Sequence, residues 1–315
     1  MKAYILTLFF FGVSFFLHPA WSAFAAELPR GDFKTLTETL QGRVADVIDP
    51  LTLRLEDNTL LSLTGLDYPD LDYYAPGNFA VMTKRILGDF LKGEDIILYQ
   101  TMNDGLGRTN RMGHRVGHIV RKKDDVWAQG LMLSLGLARV RTTKFNPEMA
   151  SQLYAQEEAA RLAKTGLWAV KGYQITDAAN AKSAEGSFDV IEGEIQKAAM
   201  QKNRLFLNFG QDWRTDFTIS ISAANRRLFA RDNLDPQSWG GKRIRVRGWV
   251  EDFNGPYIEV DHPQQIELLF ERDTTVDPNL PPPDNTTEDE EESQPNPILE
   301  PPKRSIIRRT GALPE

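Results

Sequence analysis

Arg43-Val-Ala-Asp-Val-Ile-Asp49 alternates between apolar and polar residues with a period of two, and Pro50 and Leu51 then turn the chain. The alternation continues in Leu53-Arg-Leu55, and Leu60-Leu-Ser-Leu63 follows after a second turn. A period of two is typical of strands with one buried face. The stretch therefore predicts three short consecutive β-strands.

After these strands, the spacing of the apolar residues changes to the period of a helix and then returns to that of strands before two further helices. We expect a helix at 79–92, where apolar residues form a stripe that Gly93 closes. Two strands are expected at 96–99 and 116–120, and two further helices at 126–135 and 147–164. The predicted order is thus three strands, a helix, two strands and two helices.

Five short motifs occur in this part of the chain. They are Asp49-Pro-Leu-Thr52, Leu63-Thr-Gly-Leu-Asp-Tyr-Pro-Asp70, Thr109-Asn-Arg-Met-Gly-His114, Gly136-Leu-Ala-Arg-Val140 and Gly166-Leu-Trp168. In that order and at those distances they resemble the staphylococcal-nuclease-like (thermonuclease) family, over about residues 38–170. The resemblance implies a β-rich α+β fold, an OB-fold-type barrel with helices. It also implies a calcium-dependent phosphodiesterase that acts on DNA or RNA.

The carboxylates that the family uses are only partly present. In the family, one metal ligand lies two residues after the first Asp of an Asp-Gly-Asp-Thr turn, and Leu51 stands at that position here. The resemblance places Asp67 at the second metal position and Asp70 at the position of the glutamate proposed as general base. Ca²⁺ requires oxygen ligands. The expected cofactor is therefore Ca²⁺ if the site is active, and none otherwise.

The two family arginines are also replaced. Ser62 stands at the position of the first. For the second, one alignment keeps Arg108, whereas the alignment with the more usual spacing to the next motif places His114 there. Arg115, next to it, is a further candidate for the same role.

These replacements bear on activity, because removing a single preorganised donor typically costs about 10²–10³ in rate. We expect a pseudoenzyme, with nuclease activity weak or lost, that binds nucleic acid or an envelope protein. One alternative is an active nuclease that uses Asp67, Asp70 and an arginine from the 108–115 stretch. Another is a structural or protein-interaction scaffold of the cell envelope.

Basic residues suggest where nucleic acid would bind. The stretch 108–123 has six Lys or Arg and no acidic residue, which fits either a phosphate-binding surface or an ordinary solvated hairpin. Its candidate residues, apart from those above, are Arg111, Lys122 and Lys123. Further along, the alternation of a strand predicts that Arg243, Arg245 and Arg247 share one face.

The residue pattern divides the chain into five parts. A positive residue, an apolar run and a small-x-small motif make 1–26 a signal peptide, which predicts an exported, periplasmic or secreted bacterial protein. The thermonuclease-like domain is expected at 27–175, a linker at 176–185 and a second small OB-like β-barrel at 186–270. Residues 271–315 are rich in Pro and acidic residues and predict a disordered tail.

Two absences in the sequence complete these expectations. The chain has no cysteine, so disulfides are excluded. After signal removal, no apolar run is long enough for a transmembrane segment. The formal net charge of −7 says little about nucleic-acid binding, because the acidic tail contributes to it.

Overall fold

The computed structural model describes residues 28–68, 79–212 and 214–269. The predicted signal peptide, the predicted tail and Asp70 lie outside the described residues. Within those three ranges, the protein has no helix with the length and apolar character needed to span a bilayer.

The first half is built around a closed five-stranded barrel. The described strands of this half are β1 (Leu36–Asp49), β2 (Thr52–Leu55), β3 (Leu60–Leu63), β4 (Gly65–Asp67), β5 (Asp95–Thr101), β6 (Arg115–Arg121), β7 (Val126–Trp127) and β8 (Arg139–Arg141), and five of them form the barrel. The strand order is β3-β2-β1-β5-β6, and a parallel pairing of β3 with β6 closes the barrel. This β-rich arrangement is consistent with an OB-like barrel.

Three helices accompany the barrel, where helical periods predicted them. They are α1 (Phe79–Leu91), α2 (Ala128–Ser134) and α3 (Ala150–Leu162). The stripe of α1 contributes Leu87 and Leu91 to the barrel core. The helix ends before Gly93, whose φ of +76° suits a residue without a side chain.

Two motif glycines have a clear steric reason. A Cβ atom at Gly136 would lie 2.3 Å from the carbonyl oxygen of Thr165, and one at Gly166 would lie 2.2 Å from that of Gly136. Both residues also have positive φ. This close approach joins the segment after α2 to the segment after α3, and it needs glycine on both sides.

The second half forms two sheets around a separate core. Its strands are β9 (Thr176–Asp177), β10 (Phe188–Glu194), β11 (Lys197–Gln201), β12 (Arg204–Asn208), β13 (Thr218–Ile221), β14 (Arg243–Trp249), β15 (Glu251–Asp252), β16 (Pro256–Val260) and β17 (Ile266–Leu268), and its helix is α4 (Ala223–Arg231). One sheet has the order β17-β14-β10-β9 and the other β11-β12-β13-β16-β15. Phe217, Phe229 and Trp239 lie in the core between them.

Residues 176–185, where we predicted a linker, contain a short strand and a 3-10 helix. Thr176 and Asp177 form β9, which pairs in parallel with β10. A 3-10 helix follows at Ala178–Ala184, with the side chain of Asp177 as its cap. Ala181 and Ala184 are buried in the second core. The small residues that resembled a flexible connection in the sequence are there because this helix packs closely.

Candidate functional site at Asp67

Asp67 is held at the end of β4 by an antiparallel pairing with β8, where it lies opposite Arg139. Its side chain is buried and contacts two guanidinium groups. Oδ2 accepts from Nη2 of Arg139 at 3.3 Å, and Oδ1 accepts from Nη1 of Arg141 at 3.3 Å. The two arginines are two residues apart on one strand and therefore share a face. Both oxygens of Asp67 are thus occupied by cations of the protein itself.

Arg139 extends this contact into the second half of the molecule. It is buried, and its Nη1 donates to Oδ1 of Asp189 at 3.2 Å. Its Nη2 also donates to the carbonyl oxygen of Phe188 at 2.6 Å. Asp189 is fixed in turn by the hydroxyl of Thr176, which donates to Oδ2 at 2.8 Å. One guanidinium therefore bridges an aspartate from each half.

The charge state of Asp67 depends on these arginines. Burial raises the pKa of Asp67 above its ordinary value, whereas the nearby Arg139 and Arg141 act to lower it. A buried carboxylate whose neighbouring cations are removed becomes costly to keep ionised. The site therefore stabilises an Asp67 carboxylate that is bound by the two arginines, and not one that is free to bind another ligand.

The described residues do not fit a calcium site. Ca²⁺ takes six to eight oxygen ligands. Leu51 packs against the barrel core and offers no ligand atom, while Oδ1 of Asp49 accepts from the backbone N–H of Leu51 at 2.8 Å. In the ranges that the structure covers, no group of three or more His, Cys, Asp or Glu side chains could hold a metal ion. Among the described residues, Asp67 is therefore not part of a group of three or more such ligands.

The sequence analysis offered Arg108, His114 and Arg115 for the second arginine that the resemblance expects. These residues lie together on one hairpin, but their described contacts are with this hairpin and its neighbouring strands and not with Asp67. Arg108 donates from Nε to the carbonyl oxygen of Thr101 at 2.8 Å, so it holds its own loop. The backbone N–H of His114 donates to Oδ1 of Asn110 at 3.0 Å. Arg115 starts β6, opposite Leu61 of β3. In the described contacts, the charge of Asp67 is met by β8 and not by this hairpin.

The basic stretch 108–123 is not one surface. Arg111 is exposed on the hairpin before β6, whereas Lys122 and Lys123 follow the other end of that strand. Seven strand residues separate the two ends by roughly 20 Å. Nζ of Lys122 donates to Oε1 of Gln41 at 2.8 Å, and Lys123 pairs with Glu94. The stretch therefore offers two small basic groups at opposite ends of β6.

Arg243, Arg245 and Arg247 share one face of β14, as predicted, but two of the three are not exposed on it. Arg243 is exposed and pairs with Glu192. Arg245 and Arg247 do share that face, but both are buried. They meet a cluster of carboxylates: Glu157 and Glu158 on α3, Glu192 on β10 and Glu267 on β17. Because this face is covered and neutralised, Arg245 and Arg247 are not available to a phosphate.

Glu157 lies at the centre of that cluster and forms a second bridge between the halves. It accepts from the backbone N–H of Val140 in β8 at 2.6 Å and from Nη1 of Arg247 in β14 at 3.0 Å. Burial raises the pKa of Glu157, and Arg247 opposes that shift. A nearly inaccessible ion pair thus lies at the junction of the two halves.

A cleft of about 170 Å³ opens at the same junction, and Arg141, which pairs with Asp67, is among its lining residues. Phe188 and Trp249, cross-strand neighbours in β10 and β14, lie on its wall. The guanidinium of Arg141 is half-exposed, 5.1 Å from the centre of the Phe188 ring. Trp249 is also half-exposed. The cleft therefore combines an aromatic surface with an accessible cation, Arg141, and a half-exposed carboxylate, Asp261, which pairs with the buried His262.

Arg139, Arg141, Phe188 and Trp249 were not predicted as site residues. The arginines lie in or next to a motif that sequence analysis treats as a mark of the fold. The spacing of the two arginines after buried Ala138 was the available signal, since it places both on one face of a short strand. The aromatic pair could not be found without the register of β10 and β14.

Comparisons with known proteins add no assignment, since no protein-family model and no curated protein matches this chain.

Proposed function

We propose that this is an exported pseudoenzyme of the thermonuclease-like type, a binding protein for single-stranded nucleic acid without useful hydrolytic activity. In this proposal it needs no cofactor. The observation that carries the proposal is the arrangement at Asp67: its carboxylate is buried between Arg139 and Arg141, beside a cleft with an aromatic wall. Export to the periplasm or the medium rests on the signal-peptide pattern alone.

The loss of hydrolysis is supported by chemistry at several positions. Leu51 cannot bind a metal ion, and Ser62 cannot stabilise charge on a phosphate as an arginine does. Asp67 would have to release two arginines before it could bind calcium. Because each missing charge-stabilising group costs about 10²–10³ in rate, the combined loss leaves little activity.

A second OB-like barrel is supported by the pairings of the later strands. In the first half β1 pairs antiparallel with β5, β2 with β3, and β3 pairs in parallel with β6. In the second half β10 pairs antiparallel with β14, β12 with β13, and β13 pairs in parallel with β16. Each half also has a helix in the middle of its strands: α1 lies between β4 and β5, and α4 lies between β13 and β14. We interpret the molecule as two barrels joined at the cleft.

The ligand class follows from the lining of the cleft. A base stacked on an aromatic side chain contributes about 1–3 kcal/mol, and every base has such a face. Trp249 offers an accessible ring, and Arg141 offers a cation for the adjoining phosphate. A duplex hides its base faces, so the cleft favours a single strand. We therefore expect single-stranded DNA or RNA to bind better than duplex.

Hydrolysis is tested by incubating the protein in large excess with single- and double-stranded DNA and RNA, in calcium and in chelator. We expect no cleavage above that of an Asp67→Ala preparation. Calcium-dependent cleavage that Asp67→Ala abolishes would overturn the proposal that activity is lost.

Binding is tested by fluorescence anisotropy of a labelled single-stranded oligonucleotide. We expect Trp249→Ala to weaken binding about tenfold, which corresponds to about 1.4 kcal/mol of lost stacking. Phe145→Ala is the matched control, because Phe145 is another exposed aromatic residue and does not line the cleft. Equal affinities for the wild type and Trp249→Ala would refute this binding site.

One observation favours a second candidate function, an active phosphodiesterase. Arg141 is half-exposed beside Asp67, so its guanidinium could turn towards a bound phosphate. The hydrolysis assay decides between the two functions. A protein that neither cleaves nor binds nucleic acid would leave the scaffold alternative, with an envelope protein as partner.

A further inference from the structure

Four large apolar side chains are exposed on two neighbouring loops of the first half. They are Met102, Leu106, Met112 and Phe145, which are 60, 56, 74 and 43% exposed. We refer to these four residues as the apolar loop patch. Soluble proteins rarely leave such a group of side chains in water unless it binds a partner.

The first of these loops is held in place by hydrogen bonds. Arg108 donates from Nη2 to the carbonyl oxygen of Met102 at 3.2 Å, in addition to its bond to Thr101. The loop therefore has a fixed backbone, although its apolar side chains face water.

The hairpin that carries Met112 is fixed in the same way. Oδ1 of Asn110 accepts from the backbone N–H groups of Met112 and His114, each at 3.0 Å. Thr109 and Arg115 close its base with a β-bridge. Met112 therefore lies near the tip of a rigid hairpin.

The second loop packs on the first. Nδ2 of Asn146 donates to the carbonyl oxygen of Gly107 at 3.2 Å. A Cβ atom at Gly107 would lie 2.5 Å from the carbonyl oxygen of Phe145, so the two backbones are in contact. The two loops therefore meet at Gly107, next to Leu106 on one loop and Phe145 on the other.

Cations surround this surface. Arg111 adjoins Met112 and is exposed, and Nζ of Lys144 lies 5.2 Å from the centre of the Phe145 ring. Arg115 lies at the base of the hairpin. Lys144 interacts electrostatically with the carboxylate of Asp261. Two further acidic residues belong to these loops: Asp104 is exposed, and Glu148 accepts a hydrogen bond from the hydroxyl of Thr101. The surface combines exposed apolar groups with a local positive charge.

We propose that the apolar loop patch inserts into the surface of a membrane that contains anionic lipids. A partner must offer both an apolar interior and negative charge. The chain's own acidic run, residues 284–294, contains no apolar side chain, and the next apolar residues, Ile298 and Leu299, follow it only after Pro295 and Pro297. A bilayer offers both, since its acyl region accepts Met, Leu and Phe side chains while anionic headgroups attract the neighbouring cations.

The test uses the absence of cysteine, because a single introduced cysteine is then labelled at one place. Met112→Cys and Leu106→Cys are prepared in the full chain and labelled with an environment-sensitive nitrobenzoxadiazole group. Leu162→Cys is the matched control, because Leu162 is 63% exposed but lies at the end of α3. That position is about 18 Å along the helix from the start nearest the second loop.

With vesicles of phosphatidylcholine and phosphatidylglycerol, we expect a blue shift and a severalfold rise in emission at positions 112 and 106 and no change at 162. Vesicles of phosphatidylcholine alone should give a much smaller response, and added salt should weaken it. Arg111→Glu in the Met112→Cys chain should raise the vesicle concentration for half-response about tenfold or more.

Three results would overturn the proposal. A label at 112 that stays in water while vesicles bind the chain would mean that another part, such as the apolar run Ile5–Leu17, makes the contact. Equal shifts at 112 and 162 would remove the special role of the loops. A label at 112 that is already in an apolar environment without vesicles would assign the patch to a different occupant.

Discussion

Asp67 lies within ion-pair distance of two arginines, and this determines what its carboxylate can do. A metal ion would have to displace Arg139, which also binds Asp189, as well as Arg141. Displacing Arg139 would leave a buried guanidinium short of one partner, which is costly. At this position the protein has a fixed ion-pair network.

At the scale of single residues, the sequence was informative about what is missing. The resemblance to the thermonuclease-like family expects a metal ligand at Leu51 and an arginine at Ser62, and the motifs alone show that both are absent. The cations at Asp67 could not be recognised in this way, because Arg139 and Arg141 reach Asp67 only through the pairing of β4 with β8. Contacts across such short strands depend on tertiary packing and leave no local pattern.

His118 gives a prediction about acid stability. It is buried among Phe33 and Trp127, and burial lowers its pKa to about 3. The folded protein therefore disfavours the protonated form that the unfolded chain adopts below about pH 6.5. The stability linked to the neutral ring is complete above about pH 6.5 and decreases as the pH falls towards 3, by up to about 1.4 kcal/mol per pH unit.

The measurement is denaturant unfolding of the wild type and His118→Gln at several pH values between 7 and 4. The variant should be less stable at pH 7, because it disturbs the core, but its stability should fall less steeply with acid. Parallel pH profiles for the two proteins would show that His118 does not contribute to the acid sensitivity.

Strand β14 shows what alternation predicts at the scale of an element. The period of two correctly placed Arg243, Arg245 and Arg247 on one face, with Ile244 and Val246 in the core. It could not reveal that α3 covers this face, because the carboxylates of α3 are about 90 residues away in the chain. Alternation gives the side of a strand and not what packs against it.

The ion pair between Glu157 and Arg247 gives the prediction for this element. Because both side chains are buried, Glu157→Leu should lower the free energy of unfolding by about 3 kcal/mol or more. Arg247→Met should have a similar effect, since it leaves Glu157 buried with its charge unmatched. The double variant should lose much less unfolding free energy than the two single variants lose together, because no unpaired charge remains in it.

Denaturant unfolding of the four proteins in this cycle measures the coupling energy. Strictly additive effects would contradict the account of a coupled buried pair. The exposed pair Arg85 and Asp89 on α1 is a suitable control cycle, for which a coupling of at most about 1 kcal/mol is expected.

On the scale of the whole molecule, two separate cores are joined by buried polar contacts. Arg139 with Asp189 and Glu157 with Arg247 cross the junction. The hydroxyl of Thr142, 2.7 Å from Nε2 of His262, adds a third contact. The sequence predicted both halves from their strand patterns, but it placed a linker where the chain in fact builds the second core. Its Ala- and Ser-rich composition was indistinguishable from that of a close-packed short helix.

These contacts predict that the halves unfold together. Scanning calorimetry of the full chain should show one main transition, because separating the halves would expose buried, unpaired charges. Two well-separated transitions would contradict a fixed junction. Asp189→Ala, which removes one partner of Arg139, should broaden or split the transition if the contact at Asp67 contributes to this coupling.

The central claim is that the carboxylate of Asp67 holds the protein together and does not bind a metal ion. The most direct measurement is the free energy of unfolding of the wild type and Asp67→Asn, each with and without Ca²⁺. Removing one partner from the buried network should destabilise the variant by about 3 kcal/mol, and Ca²⁺ should stabilise neither protein. A wild type that Ca²⁺ stabilises, together with an Asp67→Asn variant that is as stable as the wild type and insensitive to Ca²⁺, would contradict the claim.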